Sequence, residues 1–74
     1  MELTPQEGAV IELFRLEGET TFDDIWGRLE KDSSRPLREW DVVDVLNSLR
    51  RRGYLIADIP YENRLWLVAE PEAD

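Results

Sequence analysis

The sequence has 74 residues, with 17 acidic side chains against 9 basic ones, and neither cysteine nor histidine. That length gives one small domain with a modest core. The two missing residue types exclude disulfides, the usual zinc sites and nucleophile–histidine catalysis.

The first predicted helix runs near residues 4–17. Thr4 is a good N-cap, Pro5 suits the first helical position, and Glu7 completes a Thr-x-x-Glu capping box. Val10, Leu13 and Phe14 form one apolar face, and Gly18 follows as a left-handed terminator. A second helix is expected near 21–31, capped by Thr20 or Thr21. Asp23 and Asp24 sit at its positive N-terminal end, and Phe22, Ile25, Trp26 and Leu29 make its apolar stripe. Gly27 inside it suggests close packing against a neighbouring helix. SSRPL reads as a loop, followed by a third helix near 38–52 with the stripe Val42, Val45, Leu46 and Leu49 and a stop at Gly53. Arg50, Arg51 and Arg52 suit its negative C-terminal end.

YLIADI and RLWLVAE then read as two strands near 54–59 and 64–69. Pro60 and Tyr61-Glu62-Asn63 lie between them as a hairpin tip. Alternation puts Leu65 and Leu67 on one face of the second strand and Trp66 on the other. The expected core is Val10, Leu13, Phe14, Ile25, Leu29, Val42, Leu46, Leu49 and Leu55. The final EPEAD reads as a frayed acidic tail over 70–74.

Three helices followed by a hairpin is the order of a winged helix. The fold expectation is therefore α+β, a winged helix-turn-helix with a three-helix core and a β-hairpin wing, over residues 1–69. LTPQEGAVIELF, TTFDDIWGRL and REWDVVDVLNSLRRRGYL together resemble the N-terminal domain of the penicillinase-repressor family, over roughly residues 3–68. That resemblance implies a dimeric transcriptional regulator whose third helix lies in the DNA major groove, with a separate C-terminal segment for dimerisation.

On that reading double-stranded DNA is the partner. Arg35, Arg38, Arg50 and Arg51 would contact phosphate, Asn47 a base edge, and Arg64 the minor groove beside the wing. The charge distribution pulls the other way. Residues 1–32 hold nine acids against three bases, 33–66 five acids against six arginines, and 67–74 three acids, for a net −8. Where the resemblance implies small polar or basic residues facing out from the third helix, this sequence has Trp40, Asp41, Val43 and Asp44. Binding to DNA is therefore expected to be weak or conditional. The alternative is a winged-helix protein–protein interaction module, a homodimer or adaptor, with Trp40, Val43 and Trp66 at the interface.

Asp23 and Asp24 diverge by about 100° on a helix and cannot easily share a site. No catalytic constellation, metal site, cofactor or small-molecule ligand is expected. No apolar run approaches the roughly 20 residues needed to cross a bilayer. MELTPQEG lacks the basic start and apolar core of a secretory signal. A cytoplasmic protein without a membrane partner is the resulting expectation.

Overall fold

A computed structural model describes residues 3–59 and 62–71. Its elements are α1 (Pro5–Glu17), β1 (Glu19–Thr21), α2 (Phe22–Lys31), α3 (Glu39–Arg51), β2 (Leu55–Ile59) and β3 (Arg64–Ala69). The architecture is α+β, with three helices and a three-stranded antiparallel sheet of order β1-β3-β2.

The helix ends follow the local chemistry. The Glu7 N–H donates to Thr4 Oγ1 at 3.2 Å, and the Thr4 N–H donates back to Glu7 Oε1 at 2.8 Å. Gly18 ends α1 at φ 77°, a conformation that disfavours a Cβ. In α2 the cap is Thr21, whose Oγ1 accepts from the Asp24 N–H at 3.0 Å. In α3 the side chain of Asp41 reaches back to accept from the Arg38 N–H at 2.8 Å. After α3 the chain turns at Gly53, with φ 103°. A Cβ there would also come within 3.2 Å of Pro71.

All three helices contribute to one core. Val10, Ile11 and Phe14 come from α1, Ile25 and Leu29 from α2, and Val42, Val45, Leu46 and Leu49 from α3. Leu37 joins from the loop before α3. Its N–H donates to Glu30 Oε2 at 3.1 Å, which holds the loop against α2. Trp26 is half-buried against this core, edge-on to Phe22 with centroids 6.0 Å apart. Leu13 is half-buried rather than buried, because it lies at the margin of the α1 stripe.

The sheet departs from the expected two-stranded wing. Residues 19–21 form a third strand, and β3 lies between β1 and β2. Thr20 pairs with Leu65, and Ile56 with Leu67, on the face turned to the helices. Glu19, Trp66 and Ala57 form one row on the outer face, and Thr21, Arg64 and Ile59 the next. The expected burial of Leu55 is incorrect: it is 60% exposed. Ile56, not Leu55, lies opposite the inward-facing Leu67, so alternation along β2 puts Ile56 in the core and turns Leu55 outward.

Two smaller expectations also change. A Cβ on Gly27 would meet nothing within 4 Å, so close packing does not explain that glycine. At the start of the tail, Glu70 is paired with Arg15, which ties it to α1. That contact holds the Arg15 guanidinium above its ordinary pKa. Residues 72–74 of the tail lie outside the described residues, as do Pro60 and Tyr61 of the hairpin tip. Within the tip, the Glu62 N–H donates to Ile59 O at 3.2 Å, and Asn63 takes a positive φ of 52°.

Candidate interaction surfaces

The outer surface of α3 follows from its stripe. With Val42, Val45, Leu46 and Leu49 turned inward, Glu39, Trp40, Val43, Asp44, Asn47, Arg50 and Arg51 are left exposed. Trp40 is 58% exposed, and the Arg38 guanidinium lies over its ring, 5.2 Å from the centroid. Val43 is one turn further along the same surface. This surface opens acidic and apolar, and it becomes basic only at Arg50 and Arg51.

Asp41 is not part of that outer surface. Besides the Arg38 backbone, it accepts from Arg35 Nη1 at 3.5 Å, and it is only half-exposed. The Arg38 backbone bond, with Arg35 beside it, holds the carboxyl below the usual aspartate range. Its role is to cap α3. A cap was hard to read here because the N-cap residue is an arginine rather than serine or threonine.

Three of the five arginines expected to contact DNA are paired with the chain's own acids. Arg35 lies 3.5 Å from Asp41, and Arg50 lies 3.5 Å from Asp58 on β2. Arg50 also donates to Asn47 Oδ1 at 3.3 Å, which engages the oxygen of the one base-reading candidate. Arg64 is shared between Glu19 at 3.7 Å and Glu62 at 3.6 Å. Among the described residues, Arg38 and Arg51 have no carboxylate within 4.0 Å. Such exposed pairs are individually weak and rearrange easily. Their electrostatic effect is still clear at Arg35, Arg50 and Arg64, because each of these cations carries a neighbouring anion that phosphate repels.

The arginine triplet divides over the same turn. Arg52 leaves the surface and donates through Nε to Glu7 Oε2 at 2.8 Å. Ser48 Oγ donates to the same oxygen at 2.7 Å. Glu7 is buried at 2% exposure, so its carboxylate joins the start of α1 to the end of α3. Burial alone would raise its pKa. The bonds from the Thr4 backbone, Ser48 and Arg52 outweigh that and bring it from 4.5 to about 2. The capping box signalled Glu7 as a helix start, but nothing local in the sequence signalled a partner 45 residues away.

Two further features lie on the sheet. Trp66 is 45% exposed, as its alternation with Leu65 and Leu67 required, and Val68 and Leu55 are exposed as well. At the hairpin end, an open groove of about 740 Å³ runs between the sheet and the starts of α2 and α3. Phe22, Ile59 and Leu65 give it apolar walls, while Asp23, Glu39, Asp58 and Glu62 face a single cation, Arg64. Among the described residues, no group of three or more metal-ligating side chains converges, and no helix is long and apolar enough to cross a membrane.

No family model, curated protein or solved structure matches this chain.

Proposed function

We propose that the chain is a winged-helix protein-interaction module in which the helix that reads DNA in regulators has been turned to a protein partner. The helix–strand–helix–helix–strand–strand order and the β1-β3-β2 sheet support the fold part of that reading. One observation carries the functional part. Arg35 and Arg50, two of the four expected phosphate contacts, and Arg64, the expected minor-groove contact, are each engaged by a carboxylate of this chain. Exposed Trp40 and Val43 stand where a major-groove helix would present polar or basic groups. Aromatic anchors with aliphatic neighbours are the composition of protein interfaces.

A second reading, weak DNA binding by a transcriptional regulator like the penicillinase repressors, is favoured by Arg51. That residue is exposed on α3 with no acidic partner among the described residues.

Fluorescence anisotropy of a labelled duplex, titrated from low to physiological salt, separates the two. The interaction reading expects binding only at low salt, independent of sequence. Arg50→Ala with Arg51→Ala should then flatten the salt slope by about one to two units. Selective binding of one duplex at physiological salt, tighter than about 1 μM, would establish the regulator reading instead.

A further inference from the structure

We propose that the outer face of the sheet, with the groove at its hairpin end, binds a basic amphipathic segment of a partner protein. This rests on the interaction reading above and adds to α3 a second contact surface.

The apolar part is the uncovered side of the sheet. Trp66 and Val68 are two residues apart on β3 and share its outer face, at 45% and 56% exposure. Leu55, at the bulged end of β2, adds a side chain that the register turned out of the core. A tryptophan with aliphatic neighbours on the open face of a small sheet is a contiguous apolar area of the kind that marks a contact site.

The electrostatic part adjoins it. The row Thr21–Arg64–Ile59 lies next to the row of Trp66 on the same face, and all three of its residues also line the groove. A segment that crosses Trp66 and continues past this row rounds the hairpin end of the sheet into the groove on its helix side. There it meets Asp23, Glu39, Asp58 and Glu62, while the groove's one cation is already held between Glu19 and Glu62. The partner chemistry follows. An apolar stripe covers the sheet face, and lysines or arginines at one end enter the groove, with their aliphatic stems against Phe22 and Ile59. A second copy of this chain fits less well. It carries the same charge of −8 and would bring like carboxylates together at the rim.

Nuclear magnetic resonance on the labelled full chain tests this with two synthetic helical peptides. One has leucines along one face and lysines clustered at one end, and the other has glutamate in place of each lysine. The lysine peptide should move the Trp66 indole N–H and the Val68 and Leu55 methyl signals, and the glutamate peptide should move none. Trp66→Ser should weaken binding by about tenfold or more. Asp23→Asn with Glu39→Gln should weaken it at least about threefold and reduce its salt dependence. If Trp66→Ser alters the circular dichroism, Val68→Ser on the same face should give the same direction of effect.

Equal binding of both peptides, or no binding of the lysine peptide at about 1 mM, would overturn the proposal. Shifts confined to Trp40 and Val43 would also overturn this surface, while leaving the interaction reading in place. Selective duplex binding in the anisotropy titration would remove that reading itself.

Discussion

Arg50 and Arg52 are two residues apart at the end of one helix, and both contact a carboxylate, yet they belong to different physical regimes. Arg52 meets a carboxylate that is 2% exposed, at 2.8 Å, with Ser48 completing the oxygen's coordination. Arg50 meets Asp58 at 3.5 Å with both side chains more than a third exposed. The buried contact joins the two ends of the helical core and fixes α1 against α3. The exposed one sets the charge that a partner meets. Runs of arginine in a sequence therefore do not report a single function. Here one member is committed to the fold, one is neutralised on the surface, and Arg51 is left without an acid among the described residues.

The comparison breaks most directly at Arg52. Arg52→Ala leaves the Glu7 carboxylate buried with Ser48 and the Thr4 N–H but no cation, which should cost about 3 kcal/mol. Glu7→Gln should cost less, about 2 kcal/mol, because the quarter-exposed Arg52 side chain can swing to water when its partner is neutral. Urea denaturation of both variants measures this order. A larger loss for Glu7→Gln would mean that the cap at Thr4, rather than the ion pair, dominates at this site.

Acid should expose the same contact. The Glu7 carboxyl is lowered from 4.5 to about 2 in the folded chain, so between those values the unfolded chain binds the proton first. The associated stability, about 3 kcal/mol, is fully present above about pH 5 and is lost as the pH falls toward 2. Relief of the repulsion among the other carboxylates acts in the opposite direction over the same range. The informative quantity is therefore the difference between wild type and Glu7→Gln. It should shrink from neutral pH to pH 2, and a constant difference would show that Glu7 is not charged in the fold.

The legibility of the sequence divides along the same line between local and distant chemistry. Caps and stripes placed α1, α2 and α3 within a residue or two, because Thr4, Thr21, Gly18 and the i, i+3, i+4 apolar positions act within one turn. The exposure of Trp40 and Trp66 was readable for the same reason, from helical and strand periodicity. β1 was not, because three residues are too few to show alternation and their pairing with β3 spans more than 40 positions. Leu55 was misplaced because alternation does not say which of Leu55 and Ile56 faces the helices; the pairing of Ile56 with Leu67 decides it. Of the site, the arginines were located but not their partners. Asp58, Glu19 and Asp41 reach them only through the fold, and nothing in the spacing tells a phosphate contact from an internal ion pair.

The exposed pairs carry the smallest expected effect. Arg50→Ala and Arg64→Ala should each change stability by less than about 1 kcal/mol, since their contacts of 3.5–3.7 Å lie in solvent and fixing long side chains offsets much of the attraction. In about 1 M salt the difference from wild type should fall close to zero, because the screening length shrinks to roughly 3 Å. The loss at Arg52 should persist there, as its partner is out of reach of counterions. Paired denaturation curves at low and high salt measure this directly. If Arg64→Ala costs as much as Arg52→Ala at both salts, then the bridge from β3 to Glu19 holds the third strand in place. Arg64 would then be structural, and the division between a committed and a surface population would move to include the wing.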